Sequence, residues 1–166
     1  MTPILIDTRE PWPHPWAKHL PEAVFERQGL ETGDIALAAN SSIVVERKTV
    51  SDFLGTITAG RDRFERELMR ARELAQFHII VEGSMLDCVA DRGGMSMASL
   101  IGTVAAFSRR SCPIHFACTE KLAAQLAWAI LTQPWHEANR LATAKGPRKK
   151  KEPVETPRNE DGTSLY

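Results

Sequence analysis

Residues 41–53, Ser-Ser-Ile-Val-Val-Glu-Arg-Lys-Thr-Val-Ser-Asp-Phe, set a β-branched run directly against three adjacent charges. Ile43, Val44 and Val45 suit an extended, buried segment. Glu46, Arg47 and Lys48 cannot be buried without partners or a ligand. Side chains alternate along a strand, so Ile43, Val45 and Arg47 share one face while Val44, Glu46 and Lys48 share the other. A strand apolar on both faces belongs inside a covered sheet, with its charged end at the rim.

Glu46 and Lys48 then point the same way, about 6–7 Å apart along the strand. Asp34 lies 12 residues before Glu46, at the mouth of the preceding extended run. A hairpin turning near residues 40–41 brings it opposite Glu46. Two carboxylates and one ammonium meet at one end of a sheet.

The rest of the chain alternates between strands and helices. Residues 3–7 form a short strand, followed by an irregular proline-rich loop holding Trp12 and Trp16. A short helix is expected at 21–28. Thr49, with Asp52 three residues on, resembles a capping box for a helix from residue 50. Phe64, Leu68 and Ala71 recur at helical spacing within 61–76. Strands are expected at 77–83 and 112–119, and a helix from Ser96 that turns Leu100, Val104 and Phe107 inward. Thr119 caps a last helix, which Pro134 is expected to end. This order predicts an α/β fold with a mixed central sheet. His78 and His115 sit in apolar strands and read as satisfied core histidines.

Composition narrows the function. In 166 residues, 21 Lys+Arg balance 21 Asp+Glu, so binding to nucleic acid must come from a local patch. Residues 1–144 carry 15 basic against 17 acidic side chains, and 145–166 carry 6 against 4. Two domains of order follow: 1–144 as the folded domain, and 145–166 as a disordered basic, proline-containing tail. No phosphate-binding glycine loop is present, which argues against a nucleotide cofactor. No apolar run is long enough to span a membrane. The first residues lack the pattern of a signal peptide, and Cys88, Cys112 and Cys118 lack disulfide or zinc spacing, so the expected location is cytoplasmic.

The charged strand end suits phosphodiester hydrolysis. Mg²⁺ takes one or two carboxylates and keeps several waters. Asp34 and Glu46 can supply the carboxylates. Lys48 can orient the attacking water or stabilise charge growing in the transition state.

Gly33-Asp34, then Glu46-Arg47-Lys48, then Asp52 resembles the GDx(n)ERKxxxD signature of XPF-type structure-specific endonucleases, a branch of the PD-(D/E)xK restriction-endonuclease-like superfamily. Asp7-Thr8-Arg9-Glu10 is similar to that family's DxRE element, Gly60-Arg61 to its GR element, and Ile79–Gly83 to the following strand. The resemblance implies a three-layer α/β/α core of restriction-endonuclease-like type with a Mg²⁺ site that Mn²⁺ can also occupy. It implies catalytic roles for Asp34, Glu46, Lys48, Arg47 and Asp7, with Asp34, Glu46 and Asp7 as metal ligands. Branched DNA (flaps, forks, junctions) is the implied substrate, and repair or recombination the implied process.

Several residues keep two readings. Asp7 is a third acid at the metal, or caps a turn before Pro11. Arg9 and Glu10 support the site, or pair to hold their loop. Asp52 joins the site or caps its helix. Arg61 contacts phosphate or faces solvent. Trp12 and Trp16 stack on an unpaired base or pack over the sheet. Arg148, Lys149, Lys150 and Lys151 attract DNA phosphates or form a solvated end. The chain is expected to pair as a homodimer, or as a heterodimer with a related subunit, through Leu100, Val104, Leu126 and Ile130. The alternative to an active endonuclease is a catalytically silent DNA-binding or scaffolding subunit of the same fold.

Overall fold

The computed structural model describes residues 2–109 and 112–143. The elements are β1 (Ile4–Ile6), a 3-10 turn (Pro15–His19), β2 (Phe25–Arg27), β3 (Ile35–Leu37), β4 (Asn40–Thr49), α1 (Val50–Ile57), α2 (Arg61–Ala71), β5 (Gln76–Glu82), α3 (Met85–Asp91), α4 (Met97–Arg109), β6 (Ile114–Phe116) and α5 (Glu120–Thr143). Met1–Pro134 forms one compact unit, and Trp135–Tyr166 is a second, helical as far as Thr143. The tail and Arg148–Lys151 lie outside the described residues. Among those described, no helix is long and apolar enough to cross a membrane.

Six strands form one mixed sheet in the order β2-β1-β3-β4-β5-β6. Only β3 runs against its neighbours; the other strands point the same way. β4 is the long central strand, as its β-branched run requires. On one face Val44, Phe77, Ile79 and Val81 pack against Phe53, Phe64, Leu100 and Phe107 from α1, α2 and α4. On the other, Ile43, Val45 and Ile80 pack against Trp16 and the alanines of α5. The result is a three-layer α/β/α core. Each fully buried aromatic or branched side chain contributes about 1.5–3 kcal/mol of transfer free energy.

Local signals place most elements. Thr49 Oγ1 accepts from the Asp52 N–H at 3.1 Å, capping α1. Thr119 Oγ1 accepts from the Leu122 N–H, opening α5. Four expectations need correction. Residues 25–27 are a strand, not part of a helix, because β1 offers this edge a ladder: Val24 C=O accepts from Ile4 N–H and Ile6 C=O from Gln28 N–H. Tertiary pairing overrides weak local propensity there. Helix α2 ends at Ala71 instead of reaching Gln76. Helix α3, opened by a Ser84–Asp87 capping box, was not expected. Finally, α5 continues through Pro134; a proline removes one helical hydrogen bond without necessarily ending the helix.

The expected dimer surface is also corrected. Leu100 is fully buried and Val104 packs on the same core, whereas Leu126 and Ile130 pack on the opposite face of the sheet. These four residues share no open surface. Leu100→Ala should destabilise the fold by about 2–5 kcal/mol, the cost of a core cavity. Ile101→Ala, at a half-exposed neighbour, should cost less than about 0.5 kcal/mol. Urea unfolding of the two variants checks this, and equal midpoints would contradict the register of α4.

Candidate active site

The acids meet at the carboxyl ends of the co-directional strands, where β3 begins. Ile35 pairs with Val45, and Asp34 N–H donates to Val45 C=O at 3.0 Å, so Asp34 faces Glu46 across the ladder. The turn is tighter than expected, with Leu37 already opposite Asn40. A register shift between Ala36 and Leu37 restores the alignment of Asp34 with Glu46. Gly33 enters this corner at φ +76°, and a Cβ there would stand 2.2 Å from Val44 Cγ1. Only glycine fits such a position.

Asp34 is held from three sides. Asp7 N–H donates to its carbonyl at 2.8 Å, its own N–H is bonded to Val45, and Arg47 N–H donates to Oδ2 at 2.8 Å. Its carboxyl lies within hydrogen-bonding reach of Glu46. Glu46 and Lys48 are buried, and Lys48 Nζ donates to Glu46 Oε1 at 2.7 Å. The Lys48 ammonium also lies 5.6 Å from the Phe64 ring centroid. Burial, then repulsion from Glu46, pushes Asp34 up to about 8. Glu46 is likewise raised, by burial first, with Lys48 opposing. Two acids and one cation thus share one corner, where burial pushes both acids toward their protonated forms and Lys48 opposes this at Glu46.

Asp7 departs from its expected role. It is fully buried, but Oδ1 is engaged by the Arg9 side chain and N–H, and Oδ2 accepts from Leu30 N–H at 2.6 Å. Burial works against its charge, yet the bonds from Arg9 and Leu30 prevail and hold it below the usual range. It braces the corner through its backbone. Among the described residues no three acidic, His or Cys side chains stand together as a group that could hold a metal ion. Arg9 extends from Asp7 to the carbonyls of Leu30 and Gly33, with Asp34 and Glu46 adding to the negative field around it.

Arg47 is the second departure. Its guanidinium lies on the opposite face, bonded to both oxygens of Glu82 at 2.8 Å and 3.6 Å from Glu10. Trp16 Nε1 donates to the same Glu82, and His14 Nε2 lies 3.3 Å from Glu10. Only the Arg47 backbone N–H reaches the acids. Asp52 is exposed, and its carboxylate accepts from Oγ1 of Thr49, the N-cap of α1. Arg61 lies 5.5 Å over the Phe107 ring and pairs with Glu65. Neither joins the acid corner.

Sequence reasoning missed three partners. Glu67, three residues after Phe64 on the sheet-facing side of α2, adds to the negative field at Glu46; the spacing from Phe64 was the signal. Glu82, at the end of a buried strand, and His14, in the proline-rich loop, anchor Arg47 and Glu10. His78 and His115 stack at 5.3 Å with ring nitrogens 3.0 Å apart, satisfying one another as expected.

The ERCC4 domain model matches residues 6–127. The chain belongs to the ERCC4-domain family. XPF from Aeropyrum pernix is similar in structure, with 23% identity and a TM-score of 0.66, over 84% of this chain and 68% of that one. A second structure, the same organism's XPF in complex with DNA, has 23% identity and a TM-score of 0.65, over 82% and 66%. This chain therefore spans about two thirds of the length of those structures. A comparison with curated protein sequences returns no significant match. The ERCC4 domain here has the XPF nuclease fold, and its Gly-Asp and Glu-Arg-Lys elements are the residues that build the acid corner.

Two outcomes are expected. Gly33→Ala should destabilise the ERCC4 domain by about 2–3 kcal/mol, combining a left-handed backbone with a clash; urea unfolding measures it. The metal-free protein should also lose stability as pH rises. Asp34 titrates near 3.8 when unfolded and near 8 when folded, so between those values the fold holds the extra proton. Stability then falls from about pH 4 to 8 and levels off above. Melting temperatures of wild type and Asp34→Asn in chelator should differ in slope; parallel curves would contradict the raised proton affinity.

Proposed function

We propose that the chain is a divalent-metal-dependent, structure-specific DNA endonuclease that hydrolyses phosphodiester bonds in branched DNA. The observation that carries this reading is the pairing of half-buried Asp34 with buried Glu46, to which Lys48 is bonded. Pressing two carboxylates together where water is scarce is unfavourable unless a cation joins them. The donor set, two hard carboxylate ligands, suits Mg²⁺, with Mn²⁺ as substitute. Asp34 and Glu46 would hold the ion. Bound there, it would acidify a water and neutralise charge on the scissile phosphate.

The chain's own groups supply the rest. The backbone N–H of Arg47 and the carbonyl of Val45 keep Asp34 aimed at Glu46. Lys48, already directed by Glu46 and seated over Phe64, is placed to orient a water or meet negative charge developing on the phosphoryl group. Arg9 adds a cation beside the acids that can meet the substrate backbone. Family membership and the likeness to an XPF bound to DNA support the substrate class. A silent scaffolding subunit would have no use for the strained acid pair.

The same proposal assigns the nuclease domain to 1–144 and a basic tail to 145–166, with a role in repair or recombination. Three cysteines free of disulfides fit a cytoplasmic location. Assembly as a homodimer or with a related subunit is part of the reading. The exposed Met97 and Ile101 of α4 are among the apolar residues open to such a partner.

With Mg²⁺, flap, fork and junction DNAs should be cut in preference to linear duplex. Asp34→Asn and Glu46→Gln should each abolish cleavage while leaving the fold intact. Lys48→Ala should slow single-turnover cleavage by roughly 10²–10³, the usual loss for one preorganised electrostatic group. Cleavage by both acid variants within about twofold of wild type would overturn the proposal.

A further inference from the structure

We infer that Trp12 and Arg27 form a platform on which an unpaired base of the DNA substrate stacks, across the strand-end rim from the acid corner. The inference rests on the nuclease reading for where the scissile phosphate lies. Trp12 is 48% exposed, the only described tryptophan that is not substantially covered. Trp16, its neighbour in the loop, is buried beneath the sheet instead. The Arg27 guanidinium carbon lies 6.0 Å from the Trp12 ring centroid.

Arg27 is fixed. Its Nη2 donates to the carbonyl of Thr8 at 2.6 Å and reaches that of Glu10 at 3.5 Å. Among the described residues it has no carboxylate partner. The charge is therefore uncompensated, and Nη1 and Nε are left without a bond. An immobilised cation beside an open indole is what a nucleotide uses: the base takes the aromatic face, and the phosphate takes the guanidinium. Bases within a duplex already stack on their neighbours, so only an unpaired one offers its face.

Placement supports the same reading. Arg27 ends β2 and Trp12 follows the end of β1, at the same strand-end rim as Asp34 and Glu46, with the Arg27 side chain on the sheet face that carries Ile6 and Val45 and the acids on the other. Along that rim the order runs from Arg27 on β2, through Arg9 after β1, to the acids on β3 and β4. With adjacent strands spaced by about 4.8 Å, Arg27 stands roughly 10–15 Å along the rim from the acid pair, and across the sheet edge from it. A strand whose phosphate reached the acids would pass Arg9 and cross the rim to place a nearby base at Trp12. The platform would thus favour substrates with a single-stranded segment next to the cut.

The test uses the full chain in chelator, where no cleavage occurs, and follows fluorescence anisotropy of labelled single-stranded, flapped and duplex DNA. Trp12→Ala should weaken binding of single-stranded and flapped DNA by roughly 5- to 100-fold, the loss of one stacked base. Duplex affinity should be unchanged. Trp12→Phe should restore most of the loss, and Arg27→Gln should weaken the same two probes. Equal losses on all three DNAs, no loss on any, or no binding of unpaired DNA by the wild type would each overturn the platform. Failure of the nuclease reading looks different: a protein that shows the Trp12 effect and cuts nothing with Mg²⁺ keeps the platform and loses the enzyme.

Discussion

Asp34 and Glu46 are pressed together across β3 and β4 in a place that water hardly reaches. Two carboxylates so placed repel each other and lose hydration, and both shift toward their protonated forms. The surrounding structure works to keep them there. Gly33 turns the chain into the corner, backbone N–H groups hold Asp34, and Lys48 bonds to Glu46. A fold that maintains such an arrangement does so at a cost in stability, and contacts along the rim offset part of it.

The opposite face of the same strand end does separate work. Arg47 bridges Glu82 and Glu10, with Trp16 on Glu82 and His14 beside Glu10. This network joins the loop after β1 to β5 beneath the sheet. It holds β4 so that the N–H of Arg47 meets Asp34 on the other side. One residue therefore serves both faces: its side chain braces the scaffold and its backbone orients the acid. Asp7 behaves alike, spending both carboxylate oxygens on Arg9 and Leu30 while its N–H fixes the Asp34 carbonyl.

Much of the site was legible in residues 33–48, because strand alternation is strict. Ile43, Val45 and Arg47 do lie on one face, and Val44, Glu46 and Lys48 on the other. That same alternation already excluded the Arg47 side chain from the acid corner; grouping it with Glu46 and Lys48 followed the motif instead of the geometry. Asp52 shows the same tension, since the Thr49 cap that locates α1 also uses up its carboxylate. Residues 21–28 misled for another reason. A three-residue edge strand carries almost no periodic signal, and its conformation is decided by β1 beside it.

The sequence by itself determined the apolar pattern of β4, the charged rim, the caps of α1 and α5, and the acid and ammonium types needed for the chemistry. These are local properties, set by residue type and by the period of the backbone. Tertiary structure alone decided which charges became partners. The register shift at Ala36 and Leu37 put Asp34 opposite Glu46, and the crossing of the loop after β1 gave Glu10 to Arg47 and the Leu30 N–H to Asp7. It also sent Leu100 and Leu126 into different cores. Pairings between residues distant in the chain depend on how whole elements dock, and no local period encodes that.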